Sequence, residues 1–385
     1  MDPQKRRHHV AQKMRESARL LVNFRSLAEN DASMDDMLSP QNYNNVIKAV
    51  EMTGGVTTVD SVKHPSTILK LGNDLQKLAK VKRALSIIAK DNLRKEEAND
   101  FIQLVSTDFT DKMTAPALST LRQRKFEKAN DMPESEDVHK FSKFLSTEVK
   151  KSIKILNDAK DHGLEKRSAA YRRAQHLALA KLTFFNKRRT GETEQLSLKA
   201  YNNTGECDIK EIMDTLSPVE RELCRTLKVV FIRGKRGRKV PLIIPQDCAE
   251  LMDLLRDLRQ SAGISSKNKY FFGRFGARTP IRATDSLREL TLEAQLNSPH
   301  LVRSTKMRKY TATLSQVFSL EQQHTEWLTE HLGHSVKVHR EHYRLPSSTI
   351  EKAKIAKLLL AIDSGLTRKF YGKSLDEITF DGISL

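Results

Sequence analysis

The sequence predicts an α-rich multidomain chain: a helical N-terminal domain, then an α+β domain carrying one small antiparallel sheet. Three observations point there. Most of the chain repeats its apolar residues at helical spacing. Two β-rich apolar runs occur side by side around a glycine turn. At 385 residues the chain has room for two or three domains, and its composition changes twice along its length.

The charge balance narrows the class of partner. Lys+Arg 67 against Asp+Glu 48 gives a net charge of +19, with a pI near 9.7, an excess that favours a polyanionic partner. Aromatics are 6% of residues, so a backbone-contacting binder is expected over a single-strand binder built on stacking. No apolar run reaches transmembrane length, the N-terminus does not read as a signal peptide, and no membrane association is expected. Cys207, Cys224 and Cys248 are far apart and form no CxxC pair, which disfavours a disulfide framework or a zinc module. No cofactor and no metal is expected. The clustered His331, His334, His339 and His342 lack a Cys or carboxylate that would complete a usual ligand spacing.

Taken in order, residues 1–65 read as a helical flank and linker: a basic helix to about residue 30 with Val10, Met14, Ala18, Leu21 and Phe24 near helical spacing, then a polar stretch with a short helix around Tyr43 to Met52. Residues 66–160 read as a helical DNA-binding domain. Ile68, Leu71, Leu75 and Leu78 mark one helix, Ala98, Phe101, Ile102 and Val105 a second, and Val138, Phe141, Leu145, Val149 and Leu156 a third. Lys77, Lys80, Lys82, Lys150, Lys151 and Lys154 fall on the polar faces, and together suit a duplex backbone. Asp161-His-Gly163 breaks the pattern and reads as an interdomain linker. Helix resumes from Ala169 to Phe185. The runs Leu227–Ile232 and Val240–Ile244 then flank Gly234 and Gly237, giving a hairpin whose tip carries Arg233, Lys235, Arg236, Arg238 and Lys239. Four more helices are expected, over Cys248–Leu258, Ser286–Leu296, Met307–Phe318 and Leu320–His331. Gly333 follows the last of them, where a helix end commonly needs a residue tolerant of left-handed φ. Pro346 and then Ser348-x-x-Glu351, a capping box, open a helix over 349–363 with Ile355, Leu358, Leu359 and Ile362 on one stripe. Residues 366–385 form a tail without a readable signal.

Arg189-Thr-Gly-Glu192 after a helix, Lys235 on the hairpin, Arg308 before Thr311-Ala-Thr313, Leu332-Gly-His334-Ser335 and Tyr343 occur in a single workable order. Each alone is an ordinary surface charge or helix aromatic. Together they resemble the catalytic signature of the tyrosine recombinases, the phage-integrase family of DNA breaking and rejoining enzymes, over about 166–365. The preceding helical segment resembles, more weakly, that family's core-binding domain, and the chain is also similar to recombinase-like proteins of Crypton-type mobile elements.

The resemblance implies a site-specific recombinase or integrase, and the physical reading agrees with it. Breaking a phosphodiester without metal or ATP needs a nucleophile, cations at the non-bridging oxygens and a proton donor for the leaving oxygen. Tyr343 takes the first role, through a 3′-phosphotyrosyl intermediate. Arg189 and Arg308 take the second, because a guanidinium fork matches phosphate and stays charged. Lys235 serves the leaving group, and His334 donates to the phosphate or assists Tyr343. Lys187, Arg188, Arg233, Arg236, Arg238 and Lys309 are candidate DNA-backbone contacts. The family usually places His three residues before the second arginine. This chain has Thr305 there, a possible substitute donor. Rival readings are a catalytically impaired DNA-binding regulator derived from such an enzyme, and a type IB topoisomerase. The resemblance implies double-stranded DNA as the partner, and the family's C-terminal helix docks on a neighbouring protomer, which implies a homo-oligomer on DNA through 349–363. The expected place is the nucleus in a eukaryote, otherwise the nucleoid.

Overall fold

A computed structural model describes residues 3–28, 31–58, 61–127, 131–203, 210–234, 237–315, 318, 320–333, 335–339, 355–363 and 377. Among the described residues helix dominates, as the periodicity predicts, and the strands form two small antiparallel hairpins. The chain divides into two compact units, Met1–Ala129 and Asn130–Leu385.

The first unit is built on helices Pro3–Ala28, Tyr43–Gly54, Pro65–Ala89, Asn92–Ser106 and Ala115–Glu127. Pro65 opens its helix at a position where the missing N–H costs nothing. Gly55, at φ 63°, closes the preceding one. Phe24, Val46, Val50, Ile68, Leu71, Leu75, Phe101, Val105 and Phe109 meet in one core. The expected linker after residue 30 is therefore part of this core: Met37, Leu38, Tyr43 and Val46 are buried in it. A second, unexpected hairpin pairs Val56–Thr58 with Ser61–Val62. On the first helix the buried side is Leu20 and Phe24, while Val10 and Met14 are exposed. Lys82 is a correction as well. It is buried, with its ammonium 3.3 Å from Glu97 and 3.2 Å from the Asp35 carbonyl, so it belongs to the fold and not to a polar face.

The second unit corrects the expected division at residues 160–166. Helix Ser135–Asp158 packs against helices Leu164–Phe185 and Gln246–Asp257, with Phe141, Leu145, Val149 and Leu156 in the same core as Leu177, Leu182 and Phe184. The break at Asp161-His-Gly163 is a tight turn between two packed helices. Around this pair lie strands Lys228–Arg233 and Lys239–Ile244, paired from Lys228↔Ile244 to Arg233↔Lys239. Their alternation is visible in burial: Val230, Ile232, Val240, Leu242 and Ile244 point inward, and Val229 and Phe231 outward. Gly237, at φ 80°, supplies the left-handed residue of the connecting turn, and Gly234 N–H donates to Arg238 O at 2.8 Å. Helices Ala283–Glu293, Ser304–Leu314 and Gln322–Leu332 follow the hairpin, with Ala356–Asp363 further on.

Asp137 fixes the first helix of this unit to the segment that leads into Ser304. It is 1% exposed, and its two carboxylate oxygens accept the backbone N–H groups of Asn297 at 2.9 Å and Ser298 at 2.8 Å. Replacing Asp137 by Ala strands two amides and lowers stability by about 3 kcal/mol, while Asp137→Asn, which keeps an oxygen acceptor, loses less. Thermal melts of the three proteins check this; an Asp137→Ala chain melting within about a degree of wild type would refute the role.

Candidate active site

The site forms where a helix ends. Gln322–Leu332 terminates at Gly333, whose φ of 73° takes the left-handed conformation that the sequence suggested. The last carbonyls of a helix have no partner within it, and three arginines meet them here. Arg188 Nη1 donates to the His331 carbonyl, Arg308 Nη2 to the Leu332 carbonyl at 3.0 Å, and Arg189 Nη1 to the Gly333 carbonyl at 3.3 Å. The negative end of a helix suits cations. Two positions far apart in sequence are thus tied to one corner of the chain, one residue before His334.

The segment carrying Arg188 and Arg189 is held from several sides. Asn186 closes helix Leu164–Phe185 and imitates a strand neighbour, its Nδ2 donating to Ile243 O at 2.7 Å and its Oδ1 accepting from Ile243 N–H at 2.8 Å. His331 Nε2 donates to the Asn186 carbonyl at 3.2 Å. Burial, with the Arg188 charge beside it, holds His331 below the usual imidazole range and so neutral. Ser304 Oγ donates to the Arg188 carbonyl at 2.6 Å, joining the start of helix Ser304–Leu314 to the same segment. The Thr190 turn is fastened to helix Ala283–Glu293 by Thr284 Oγ1 to Thr190 Oγ1 at 3.2 Å and by Ala283 N–H to Glu194 Oε1 at 2.8 Å.

Glu192 divides between the two arginines, 3.1 Å from Arg189 Nη1 and 3.9 Å from Arg188 Nε. Burial pushes the Arg188 guanidinium down to about 10, with Arg308 and Arg189 adding repulsion and Glu192 opposing it. It stays protonated at neutral pH. Arg188 is fully buried, its second fork end 3.4 Å from the Pro241 carbonyl. It cannot reach a DNA backbone as expected and is instead an internal strut. Lys187 is likewise turned inward, donating to the Phe184 carbonyl at 2.8 Å, 3.9 Å above that ring, with burial lowering its ammonium to about 8. Arg233 and Arg238 are exposed on the hairpin, and Lys309 is half-buried.

Beside the corner a cavity of ≈ 390 Å³ is lined by Arg189, Thr190, Thr284, Leu287, Arg303, Ser304, Thr305 and Arg308. It gathers three of the expected site residues: Arg189 and Thr305 at its wall, and Arg308, 2% exposed, behind them. Lys235, Arg236, His334 and Tyr343 lie outside the described residues, as do residues 349–354 of the expected helix over 349–363. Arg303 was not anticipated. The clue was the spacing His300-x-x-Arg303, the very interval sought at Thr305, although His300 itself is exposed and does not line the cavity. Among the described residues no group of His, Cys, Asp and Glu could hold a metal ion, and no helix is long and apolar enough to cross a membrane.

Comparison with solved structures finds a likeness to two crystal structures of the site-specific recombinase XerH. One is a pre-cleavage complex bound to difH substrate, 16% identical with a TM-score of 0.36, covering 87% of this chain and 94% of that one. The other is a post-cleavage complex with palindromic difH substrate, 16% identical with a TM-score of 0.38, covering 84% of each chain. No family model and no curated protein matches the chain.

Gly333 is the position where a side chain would do most damage to this corner. A Cβ there would meet Arg188 Nη1 at 3.0 Å and Arg189 Nη1 at 3.4 Å, on a backbone already in the left-handed region. Gly333→Ala is expected to cost roughly 1–2 kcal/mol from backbone strain alone, read as a lowered unfolding midpoint in urea. An unchanged midpoint would mean that the corner is not fixed as described.

Proposed function

We propose that the chain is a DNA strand transferase of the tyrosine recombinase type, acting as a site-specific recombinase or integrase without metal or ATP. One observation carries the reading: Arg189 and Arg308 line a single cavity and both bind carbonyls at the end of the helix whose next residues run through His334 to Tyr343. Two guanidinium forks at one cavity suit the non-bridging oxygens of a phosphodiester. Their carbonyl partners orient them, while Glu192 offsets part of the Arg189 charge.

In the proposed step the Tyr343 hydroxyl oxygen attacks phosphorus and the bond from phosphorus to the 5′ oxygen breaks. Lys235 delivers a proton to that departing oxygen, and His334 donates to the phosphate or assists removal of the tyrosine proton. The products are a 3′-phosphotyrosyl enzyme and a free 5′ hydroxyl. Attack by a 5′ hydroxyl on the phosphotyrosine reverses the step, so joining to another strand needs no nucleotide cofactor. The exposed Arg233 and Arg238, with exposed Lys77, Lys80, Lys150, Lys151 and Lys154, supply cations for the phosphate backbone.

A catalytically impaired DNA-binding regulator is the reading that Thr305 favours, since it sits at the cavity without an imidazole. A nicked suicide substrate separates the two. Wild type is expected to form a covalent protein–DNA adduct, Tyr343→Phe none, and Arg189→Ala or Arg308→Ala at least about a hundredfold less. Adduct formation by Arg308→Ala at the wild-type rate would sink the assignment. Relaxation of supercoils by a monomer, without pairing of two duplexes, would favour a type IB topoisomerase.

Assembly on DNA is proposed to run through the C-terminal helix. In its described part, Ala356–Asp363, Leu358, Leu359, Leu360 and Ile362 are exposed while Ala361 is buried, an apolar surface suited to a neighbouring copy. Deleting residues 349–385 is expected to abolish higher-order complexes on DNA in sedimentation experiments; if assembly and cleavage survive, the helix has no such part.

A further inference from the structure

Arg303 shares the cavity with Arg189, Thr305 and Arg308, and its surroundings are those of a group awaiting an anion. Its Nη1 donates to Thr291 Oγ1 at 2.7 Å and to the Val302 carbonyl at 3.2 Å. Thr291 is itself buried, and its hydroxyl donates to the Arg288 carbonyl at 3.0 Å. One end of the fork is therefore oriented through a fixed chain of hydrogen bonds. Every partner in that chain is neutral. Among the described residues no carboxylate pairs with Arg303, and burial together with the nearby Arg288 charge holds its guanidinium below the ordinary range. No carboxylate lines the cavity, and Glu192 is engaged by Arg188 and Arg189. A half-buried guanidinium kept against both desolvation and like charge is costly unless an anion arrives to offset it.

We propose that Arg303 is a third phosphate-binding guanidinium, contacting a non-bridging oxygen of the DNA phosphodiester that Arg189 and Arg308 hold. This rests on the strand-transfer reading for the identity of the anion, but the anion contact itself is testable without it. Arg303 stands at the start of helix Ser304–Leu314, and Arg308 lies within that helix. A single rigid element thus presents two of the three cations.

The test uses the full chain and three nicked suicide duplexes: one with the ordinary scissile phosphodiester, and one for each methylphosphonate stereoisomer, in which a methyl replaces one non-bridging oxygen. On the phosphodiester Arg303→Ala is expected to slow adduct formation by about a hundredfold. On the stereoisomer lacking the contacted oxygen that penalty should largely vanish, because the arginine has nothing left to bind. Arg303→Lys, which keeps the charge but not the fork, should fall between. An equal penalty on all three duplexes, or none on the phosphodiester, overturns the proposal. Titration of the DNA-free chain with sodium tungstate provides the independent arm. Wild type should bind and Arg303→Ala should bind at least about tenfold more weakly, the effect of losing a charge-assisted hydrogen bond. Unchanged tungstate binding, or none by wild type, overturns the proposal. A wild-type chain that forms no adduct but loses tungstate binding on Arg303→Ala would refute strand transfer and uphold the anion contact.

Discussion

The corner at Gly333 depends on one interaction, the buried Arg188 guanidinium donating to the last turn of helix Gln322–Leu332. A helix end buried without partners for its carbonyls is strongly unfavourable, and here the partner comes from a strut that also reaches Pro241 in the hairpin. Arg188 joins three elements that are distant in sequence: the end of helix Leu164–Phe185, strand Lys239–Ile244 and the Gly333 turn. Ser304 is added through the Arg188 carbonyl. Because Arg188 holds this frame, its neighbour Arg189 can face the cavity, still 30% exposed at its side chain. Adjacent arginines thus serve opposite purposes, one closing the fold and one presenting charge.

The helices and the hairpin were legible in the sequence because their periodicities are strong: Ile68–Leu71–Leu75, Phe141–Leu145–Val149 and the Val230/Ile232 alternation all point inward as read. Gly333 was legible for a similar local reason. The division of the chain was not. Asp161-His-Gly163 shows where a helix breaks, but a break reports the path of the backbone, and only packing reports which core a helix joins. Helix Ser135–Asp158 joins the second core through Phe141 and Leu145. In the same way, the polar composition between residues 30 and 65 concealed a core segment, because a few residues such as Met37 and Val46 suffice to anchor it.

Charged residues show the limit most clearly. Lys82 and Arg188 read as surface cations in sequence and Arg308 as a phosphate-binding one, yet each is buried. What buries them is a specific acceptor, Glu97 and the Asp35 carbonyl for the lysine, helix-end carbonyls for the arginines, and no local pattern announces those partners. Arg189 and Arg308 are marked by their order relative to other motifs, whereas the His300-x-x-Arg303 interval stands outside that order.

The nature of the partners explains how the cavity keeps its charge. Had the guanidinium groups been held by carboxylates, each pair would be near neutrality and an incoming phosphate would have to compete with a bound acid. Carbonyls and hydroxyls fix direction without cancelling charge. Leu332 O does this for Arg308, Gly333 O for Arg189, and Thr291 Oγ1 for Arg303. Glu192 is bound to two of the arginines. It sits 3.1 Å from Arg189 and also serves Arg188, so it offsets part of the repulsion among the arginines and leaves the cavity net positive. Such a site is costly while empty and gains most from an anion with several oxygens in fixed geometry, because each fork is already aimed. The arrangement that stabilises the Gly333 corner is therefore the same one that aims the guanidinium groups at the cavity, which suits the phosphodiester proposed for it.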